Sequence, residues 1–215
     1  MVGYWIRDCS SVTSSIEITM KKILARLHIS QRIFKKRWFI PLIFFSIFWT
    51  VFLLYTGTLT SGFHFIDDHE IIRIQHDLSQ SNLFTVLKDW IGNDFSLRFR
   101  PIYYFHRVLS VFILGDSFLL LSIQNLILAI LTSFFLFFFL KNLKFSSVLA
   151  YIFTFLSLFG PQSAIWWRLG PNETLGIFLL SLSLYLLSKS YTSLKRAGLF
   201  KVTSLLLMIL ATLCK

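Results

Sequence analysis

Asp67-Asp68-His69-Glu70 places three carboxylates and an imidazole in four consecutive positions. Carboxylate oxygens suit Mg2+ or Mn2+, and an imidazole adds a borderline ligand, so Asp68, His69 and Glu70 form a candidate divalent-cation set. A carboxylate such as Asp67 or Asp68 can also act as general base toward a hydroxyl. The local alternative is a helix start, with Asp67 or Asp68 as cap and Glu70 in the first turn. The two readings are compatible, because a cap position holds a carboxylate rigidly.

Arg98-Phe99-Arg100-Pro101-Ile102-Tyr103-Tyr104 is a cationic strip with aromatic neighbours. Guanidinium forks at Arg98 and Arg100 suit phosphate. Pairing with Asp89 and Asp94, or contact with lipid headgroups, is the competing use. Trp166-Trp167-Arg168-Leu169-Gly170-Pro171-Asn172-Glu173 offers ring faces that suit a sugar as well as a membrane interface. Trp167, Arg168 and Glu173 are its candidate binding residues. Glu173 stands at the edge of an apolar run, where an ionisable group is costly unless paired or functional. Lys215 is either a snorkelling interfacial residue or a phosphate ligand. Gln124 and Asn125, inside an apolar run, read as interhelix hydrogen-bonding residues.

These groups are carried by a chain built for lipid. Of its 215 residues, 55% are hydrophobic and only 14% charged, against about a quarter in soluble domains. Phe alone occurs 25 times. The expected fold is all-α and polytopic, with about five transmembrane helices and a long first extracytoplasmic loop. Spans are expected at 38–55, 118–140, 146–159, 174–187 and 199–213, with Trp38 and Tyr55 as interfacial anchors of the first. Residues 1–37 form a basic cytoplasmic segment, and 38–215 an incomplete transmembrane domain whose outer loop covers about 57–107. In that loop, Ile71, Ile72, Ile74 and Leu78, then Leu83, Phe84, Val86 and Leu87, predict two short helices resting on the membrane surface. Ser81-Asn82 separates them and caps the second.

The formal net charge of +11 is topological information. Basic residues gather in 1–37, 141–144 and 189–201, and acidic ones in the 57–107 loop, so the N-terminus is expected in the cytoplasm of a cell membrane. No basic face with interleaved aromatics on a soluble fold is present, which argues against nucleic acid as a partner. Cys9 and Cys214 lie at opposite ends with no metal-binding spacing. No cleavable signal peptide is visible, and Met20-Lys21-Lys22 resembles a natural start, which would make 1–19 an upstream extension.

In order, these features resemble the GT-C superfamily of polytopic glycosyltransferases, which includes protein mannosyltransferases and the aminoarabinose transferases of lipid A. Asp67-Asp68 matches the family's acidic pair after the first span, and Arg100-Pro101-Ile102-Tyr103-Tyr104 its basic-Pro-aromatic segment before the second. Trp167 to Gly176 is similar to a recurrent outer-loop pattern of bacterial members, and Cys214-Lys215 to a Lys-Glu pair lacking its Glu. The resemblance covers roughly 38–215 and implies an N-terminal fragment of a longer protein.

What the resemblance implies is inverting transfer of a hexose or pentose. The donor would be a polyprenyl-phosphate-linked sugar, the acceptor a lipid, glycan or protein of the cell envelope, and the place the outer membrane face. Asp67 or Asp68 would deprotonate the acceptor, and Arg98, Arg100 and Lys215 would hold the donor phosphate. Mg2+ or Mn2+ is compatible with the family and not required by it. The alternative is a transporter or flippase-like component for lipid-linked saccharides, which would keep ionisable groups at mid-membrane. A structural membrane subunit would tolerate loss of Asp67 and Asp68.

Overall fold

The computed structural model of the chain describes residues 39–60, 69–95, 98–159, 164–167 and 173–214. The chain divides into units 1–43 and 44–215, and of the first only the opening turn of α1 is described. Among the described residues all regular structure is helical: α1 (Phe39–Tyr55), α2 (His69–Gln80), α3 (Leu83–Phe95), α4 (Pro101–Leu114), α5 (Phe118–Asn142), α6 (Ser147–Leu158), α7 (Ala164–Trp167), α8 (Glu173–Thr192) and α9 (Ala197–Thr212). A 3-10 turn, Leu194–Arg196, joins the last two.

Two of these helices, α5 and α8, are long and apolar enough to cross a membrane. At 1.5 Å per residue, α5 extends about 37 Å and α8 about 30 Å. The helices at the other expected spans are shorter: α1, α9 and above all α6, with 12 residues and about 18 Å.

Contacts fix the direction of each bundle helix. Phe45 packs on Phe137, the Trp49 indole Nε1 donates to Ser133 Oγ at 2.7 Å, and Ser122 Oγ donates to the Thr58 carbonyl at 2.9 Å. Sequence numbers rise on one side as they fall on the other, so α1 runs antiparallel to α5. Tyr151 stacks near Phe137, while Asn125 Nδ2 donates to the Trp166 carbonyl at 2.7 Å, so α6 and α7 carry the chain back along α5. Asn142 Nδ2 donates to Ser188 Oγ at 2.9 Å, whereas Gln124 and Asn125 share a pocket with Thr174, which sets α8 parallel to α5. Ser183 and Ser204 exchange hydroxyl-to-carbonyl bonds of 2.8 and 2.9 Å, and Gly176 lies against Ala211 and Cys214, so α9 turns back along α8. The five helices expected as spans thus alternate in direction.

The abundance of Phe has a packing consequence. Phe44, Phe48 and Phe52, four apart on α1, face Tyr151, Phe155 and Phe159 on the α6 side, with centroids 5.1 Å apart for Phe44–Tyr151, 4.9 Å for Phe48–Phe155 and 5.2 Å for Phe52–Phe159. Four-residue spacing keeps rings on one helix face, and these edge-on contacts suit the ring quadrupole.

α2, α3 and α4 form a second, separate core. Ile71 and Ile74, Val86, Val108 and Val111 close on Leu121 at the start of α5. The two loop helices expected from sequence are present, and Asn82 caps the second: its Oδ1 accepts from the Thr85 backbone N–H at 3.0 Å. The third, α4, begins inside the stretch expected as a loop to Arg107 and replaces its end with helix. Pro101 opens it in the position where a missing N–H does no harm. Gly115 ends it at φ 68, a left-handed conformation that glycine adopts without steric cost.

Candidate functional site

The cap formed by α2–α4 carries the charged chemistry. Its pivot is Asp94, on the buried side of α3. The Asp94 carboxylate accepts from Arg100 Nη2 at 2.7 Å, from Arg100 Nε at 3.3 Å and from the Arg100 backbone N–H at 2.8 Å. Side-chain exposure is 5% for Asp94 and 15% for Arg100, so this is a largely desolvated ion pair. It clasps the chain between α3 and α4 at the residue preceding Pro101. The Arg100 guanidinium also lies 5.4 and 5.3 Å from the Tyr103 and Tyr104 ring centroids, and Nη2 donates to Tyr104 Oη at 3.1 Å. The Asp94 hydrogen bond holds the Arg100 pKa above its ordinary value, against the lowering effect of burial.

Behind Arg100, Tyr103 Oη donates to Glu70 Oε2 at 2.9 Å, tying the first turn of α2 to α4. Burial, aided by the Glu70 carboxylate, pushes the Tyr103 phenol far above its usual range despite the Arg107 charge, so it remains a donor at any physiological pH. Arg107 is buried and its guanidinium lies 5.9 Å from the Tyr103 ring centroid. On the other side of the cap, Trp90 Nε1 donates to Asp77 Oδ2 at 2.9 Å, and the Arg73 guanidinium covers the Trp90 ring at 5.3 Å.

Between these groups opens a cleft of about 590 Å³. Arg73, Arg98 and Arg100 line it with Asp77, Asp89, Asp94, Asn93, Trp90 and Tyr104. The formal charges balance, but the pairing does not. Asp94 is engaged by Arg100 and Asp77 by Trp90, which leaves exposed Arg73 and Arg98 facing the single exposed acid Asp89. Trp90 is a neutral donor and leaves the Asp77 charge in place, so the lining is neutral overall, with the Arg73 and Arg98 guanidinium groups exposed near the Trp90 and Tyr104 rings.

A smaller polar pocket, about 40 Å³, lies where α4, α5 and α8 meet. Gln124 Nε2 bridges His106 Nε2 at 2.9 Å and donates to Ser110 Oγ at 2.8 Å, in the interhelix role expected of it. Asn125 does the same toward Trp166. Burial, then the neighbouring Arg107, lowers the His106 pKa to about 4. The pocket has room for one or a few water molecules and no organic ligand.

The sequence-derived site residues fare unequally. Arg98 is exposed at the cleft, whereas Arg100 is drawn inward to Asp94. His69 is exposed and Glu70 half-buried against Tyr103, so the two point to different surroundings. Among the described residues no three His, Cys, Asp or Glu side chains come together as a metal site. Asp67, Asp68, Arg168 and Lys215 lie outside the described residues, as does the Trp167 side chain. Glu173 is half-buried in the first turn of α8. Trp166, expected at an interface, is fully buried against Trp49 at 5.3 Å.

Arg73, Asp77, Trp90 and Arg107 are not among the site residues expected from sequence, and Tyr103 enters there only as part of the aromatic strip. Their signal was spacing: Arg73 and Asp77, like Tyr103 and Arg107, stand four apart on one helix face. For Tyr103 and Arg107, it required recognising Pro101 as a helix start. No family model matches this chain, and no curated protein or solved structure matches it.

Proposed function

We propose that this chain is a membrane-embedded glycosyltransferase of the GT-C kind, transferring a sugar from a polyprenyl-phosphate donor to a cell-envelope acceptor. The observation that carries the reading is the cap: exposed Arg73 and Arg98 line a cleft in which Asp94 is paired with Arg100, Asp77 is bonded by Trp90 and Asp89 is exposed, beside a bundle with an apolar exterior. In this reading α1, α5, α6, α8 and α9 are the five spans. Their alternating directions support it, as does their surface: Ile47, Val51, Leu156, Leu205 and Leu206 are exposed while Thr132, Ser133, Ser181 and Ser183 are buried. Water would reverse that distribution, and lipid favours it.

The cap lies on the outer side of an inner or cytoplasmic membrane. Lys141, Lys144, Lys189, Lys195 and Arg196 mark the opposite, cytoplasmic end, where the N-terminus also lies. Arg98, joined by Arg73, holds the donor phosphate. Arg100 positions the strip through Asp94 instead of binding phosphate directly. Asp67 or Asp68 takes the acceptor proton as the acceptor oxygen bonds to the anomeric carbon. The bond from that carbon to the phosphate oxygen breaks, and the polyprenyl phosphate leaves with the electron pair. One displacement inverts the centre and needs one base. His69 is exposed while Glu70 is turned to Tyr103, which does not fit a shared divalent cation, so no step is assigned to Mg2+ or Mn2+.

The transporter alternative finds less support. In the five span helices the Lys, Arg, Asp and Glu residues are Lys141, Glu173, Lys189 and Lys201, all near helix ends. The test is glycosyl transfer in membranes containing the protein, with a panel of polyprenyl-phosphate sugars. Asp67→Asn or Asp68→Asn is expected to reduce transfer by about 100-fold or more, the contribution of a general base, and Arg98→Gln to raise KM for the donor. Transfer unchanged in both aspartate variants rules out the acidic pair as the base.

A further inference from the structure

The basic end of the bundle is built from two turns that a hydrogen bond holds together: Asn142 Nδ2, at the end of α5, donates to Ser188 Oγ, near the end of α8, at 2.9 Å. Lys141 and Lys144 flank Asn142, and Lys189 follows Ser188, with Lys195, Arg196 and Lys201 after it. Six cations thus belong to the α5–α6 and α8–α9 turns, while the only Asp or Glu between residues 117 and 215 is Glu173, at the opposite end of α8. Membrane orientation asks for basic residues beside spans but is little affected by acidic ones, so it does not account for their absence here. Rings steer two of the lysines. The Lys189 ammonium lies 5.7 Å from the Tyr185 ring centroid, and that of Lys201 lies 6.0 Å from Tyr191, whose ring is 71% exposed. Lys144 is placed at a cost. It closes α5 at φ 68, the only left-handed non-glycine residue among the described residues. Its backbone N–H donates to the Lys141 carbonyl at 3.0 Å, and that of Phe145 to the Leu140 carbonyl at 3.1 Å, a helix end that usually carries glycine. Glycine adopts that conformation freely and a lysine does not. A cation therefore stands where backbone geometry favours a residue with no side chain.

We propose that these two joined turns bind the headgroup of an anionic phospholipid, and that a lipid carrying two phosphates fits them best because it engages both turns at once. Phosphate oxygens accept charge-assisted hydrogen bonds from ammonium and guanidinium groups, and basic pockets between membrane helices are suited to such headgroups. Lys144, Lys195, Arg196 and Lys201 are exposed, and no carboxylate of either turn competes with a phosphate for them. Lys141 is less available, since its ammonium donates to the Phe145 carbonyl at 2.9 Å. One phosphate takes the α8–α9 side, at Lys195, Arg196 and Lys201. The other takes Lys144 and Lys189, beside the Asn142–Ser188 bond. Tyr191 supplies the ring that belongs at headgroup depth. The acyl chains lie along α9, where Leu199, Val202 and Leu206 share one exposed face. Bound this way, the lipid ties the end of α5 to the turn between α8 and α9.

The proposal rests on the membrane placement of the bundle and is independent of glycosyl transfer. Its test uses the whole chain in detergent, titrated with cardiolipin (two phosphates), phosphatidylglycerol (one) or phosphatidylcholine (no net charge), with bound lipid counted by native mass spectrometry. Cardiolipin is expected to be held most tightly, phosphatidylglycerol less, and phosphatidylcholine not at all. Each cation removed should weaken cardiolipin binding about fivefold, so Lys195→Gln with Arg196→Gln should weaken it about 25-fold. Lys144→Gly separates binding from folding. It should weaken cardiolipin binding about fivefold while the melting temperature of the lipid-free chain stays the same or rises. Lys88→Gln, exposed on the cap, should leave cardiolipin binding unchanged. Equal binding of cardiolipin and phosphatidylglycerol overturns the two-phosphate fit. Cardiolipin binding unchanged in both the Lys195→Gln, Arg196→Gln pair and Lys144→Gly overturns the site. Displacement of cardiolipin by polyglutamate at equal charge makes an acidic protein the partner and overturns the lipid assignment. A chain that stays monodisperse without detergent overturns the membrane placement, and the lipid site falls with it.

Discussion

The cap and the bundle solve the same problem, burying polar atoms, in opposite ways. The cap buries charge: Asp94 with Arg100, and Arg107 beside Tyr103. The bundle buries mostly small neutral hydroxyls, many of them returned to a backbone carbonyl or a neighbouring hydroxyl, although Thr132 Oγ1 has no such partner. Ser133 bonds the Ala129 carbonyl, Thr154 the Ala150 carbonyl, and Ser183 pairs with Ser204. A buried ion pair is sensitive to loss of either partner, because the survivor is left as an uncompensated charge. A serine bonded within its own helix turn loses little when removed. The difference teaches where each region is fragile: the cap at single residues, the bundle at the close approach of its helices.

Breaking the cap should therefore need one atom group. Asp94→Ala removes the carboxylate that receives the Arg100 guanidinium and its backbone N–H. The expected loss is about 1.5–3 kcal/mol, the range for hydrogen bonds to a charged group, because Arg100 lines the open cleft and stays partly solvated. Hydrogen exchange should report it locally. Amides of α3 and of the first turns of α4 should exchange fast, while those of α5 and α8 stay protected. Equal loss of protection in the bundle would show that the two regions fold as one unit.

The junction between them should respond to pH. His106, on α4, has its pKa lowered to about 4 by burial and by Arg107. The unfolded chain takes up that proton near pH 6.5, so between about 6.5 and 4 the unfolded state binds more protons than the folded one. Stability is full above about pH 6.5 and falls as pH drops through that window. The melting temperature in detergent should decline over it, and the part due to this residue should vanish in His106→Gln. An identical decline in the variant would assign the pH response to other groups.

The same contrast explains what was legible beforehand. The bundle helices could be read as apolar runs, clearest at 118–140 and short at 146–159, 174–187 and 199–213. The helices α2 and α3 were legible through their apolar spacing, and Asn82 through its position between them. α4 was not legible because its apolar face begins beside the charges of Arg98 and Arg100, with Pro101 at its first position as the one start signal. The pairing of Arg100 with Asp94, six residues away, was one of the uses the sequence left open to the strip, whereas Tyr103 with Glu70 depends on how α2 and α4 converge, which no local pattern encodes. Trp166 was misjudged for a related reason. A tryptophan beside a loop resembles an interface anchor until a partner such as Trp49 covers it.

The smallest expected effect probes the bundle most directly. Gly176, Ser183 and Ser190 recur every seven residues on α8, as Ala197, Ser204 and Ala211 do on α9. This is a seam of small residues that lets antiparallel helices approach closely. At its centre Ser183 and Ser204 each donate to the other's carbonyl. Ser204→Ala deletes one donor but leaves the Ser204 carbonyl to accept from Ser183, so about 0.6 kcal/mol should be lost, the mean for such bonds between membrane helices. Ser204→Leu should do more, because its added volume has to enter a contact where even a Cβ on Gly176 would lie 3.4 Å from Cys214 Cβ. A loss of about 1–3 kcal/mol is expected from such overpacking. Steric trapping or detergent unfolding of both variants distinguishes the contributions. If Ser204→Ala were the more damaging of the two, hydrogen bonding would hold the seam, and the contrast with the cap would disappear.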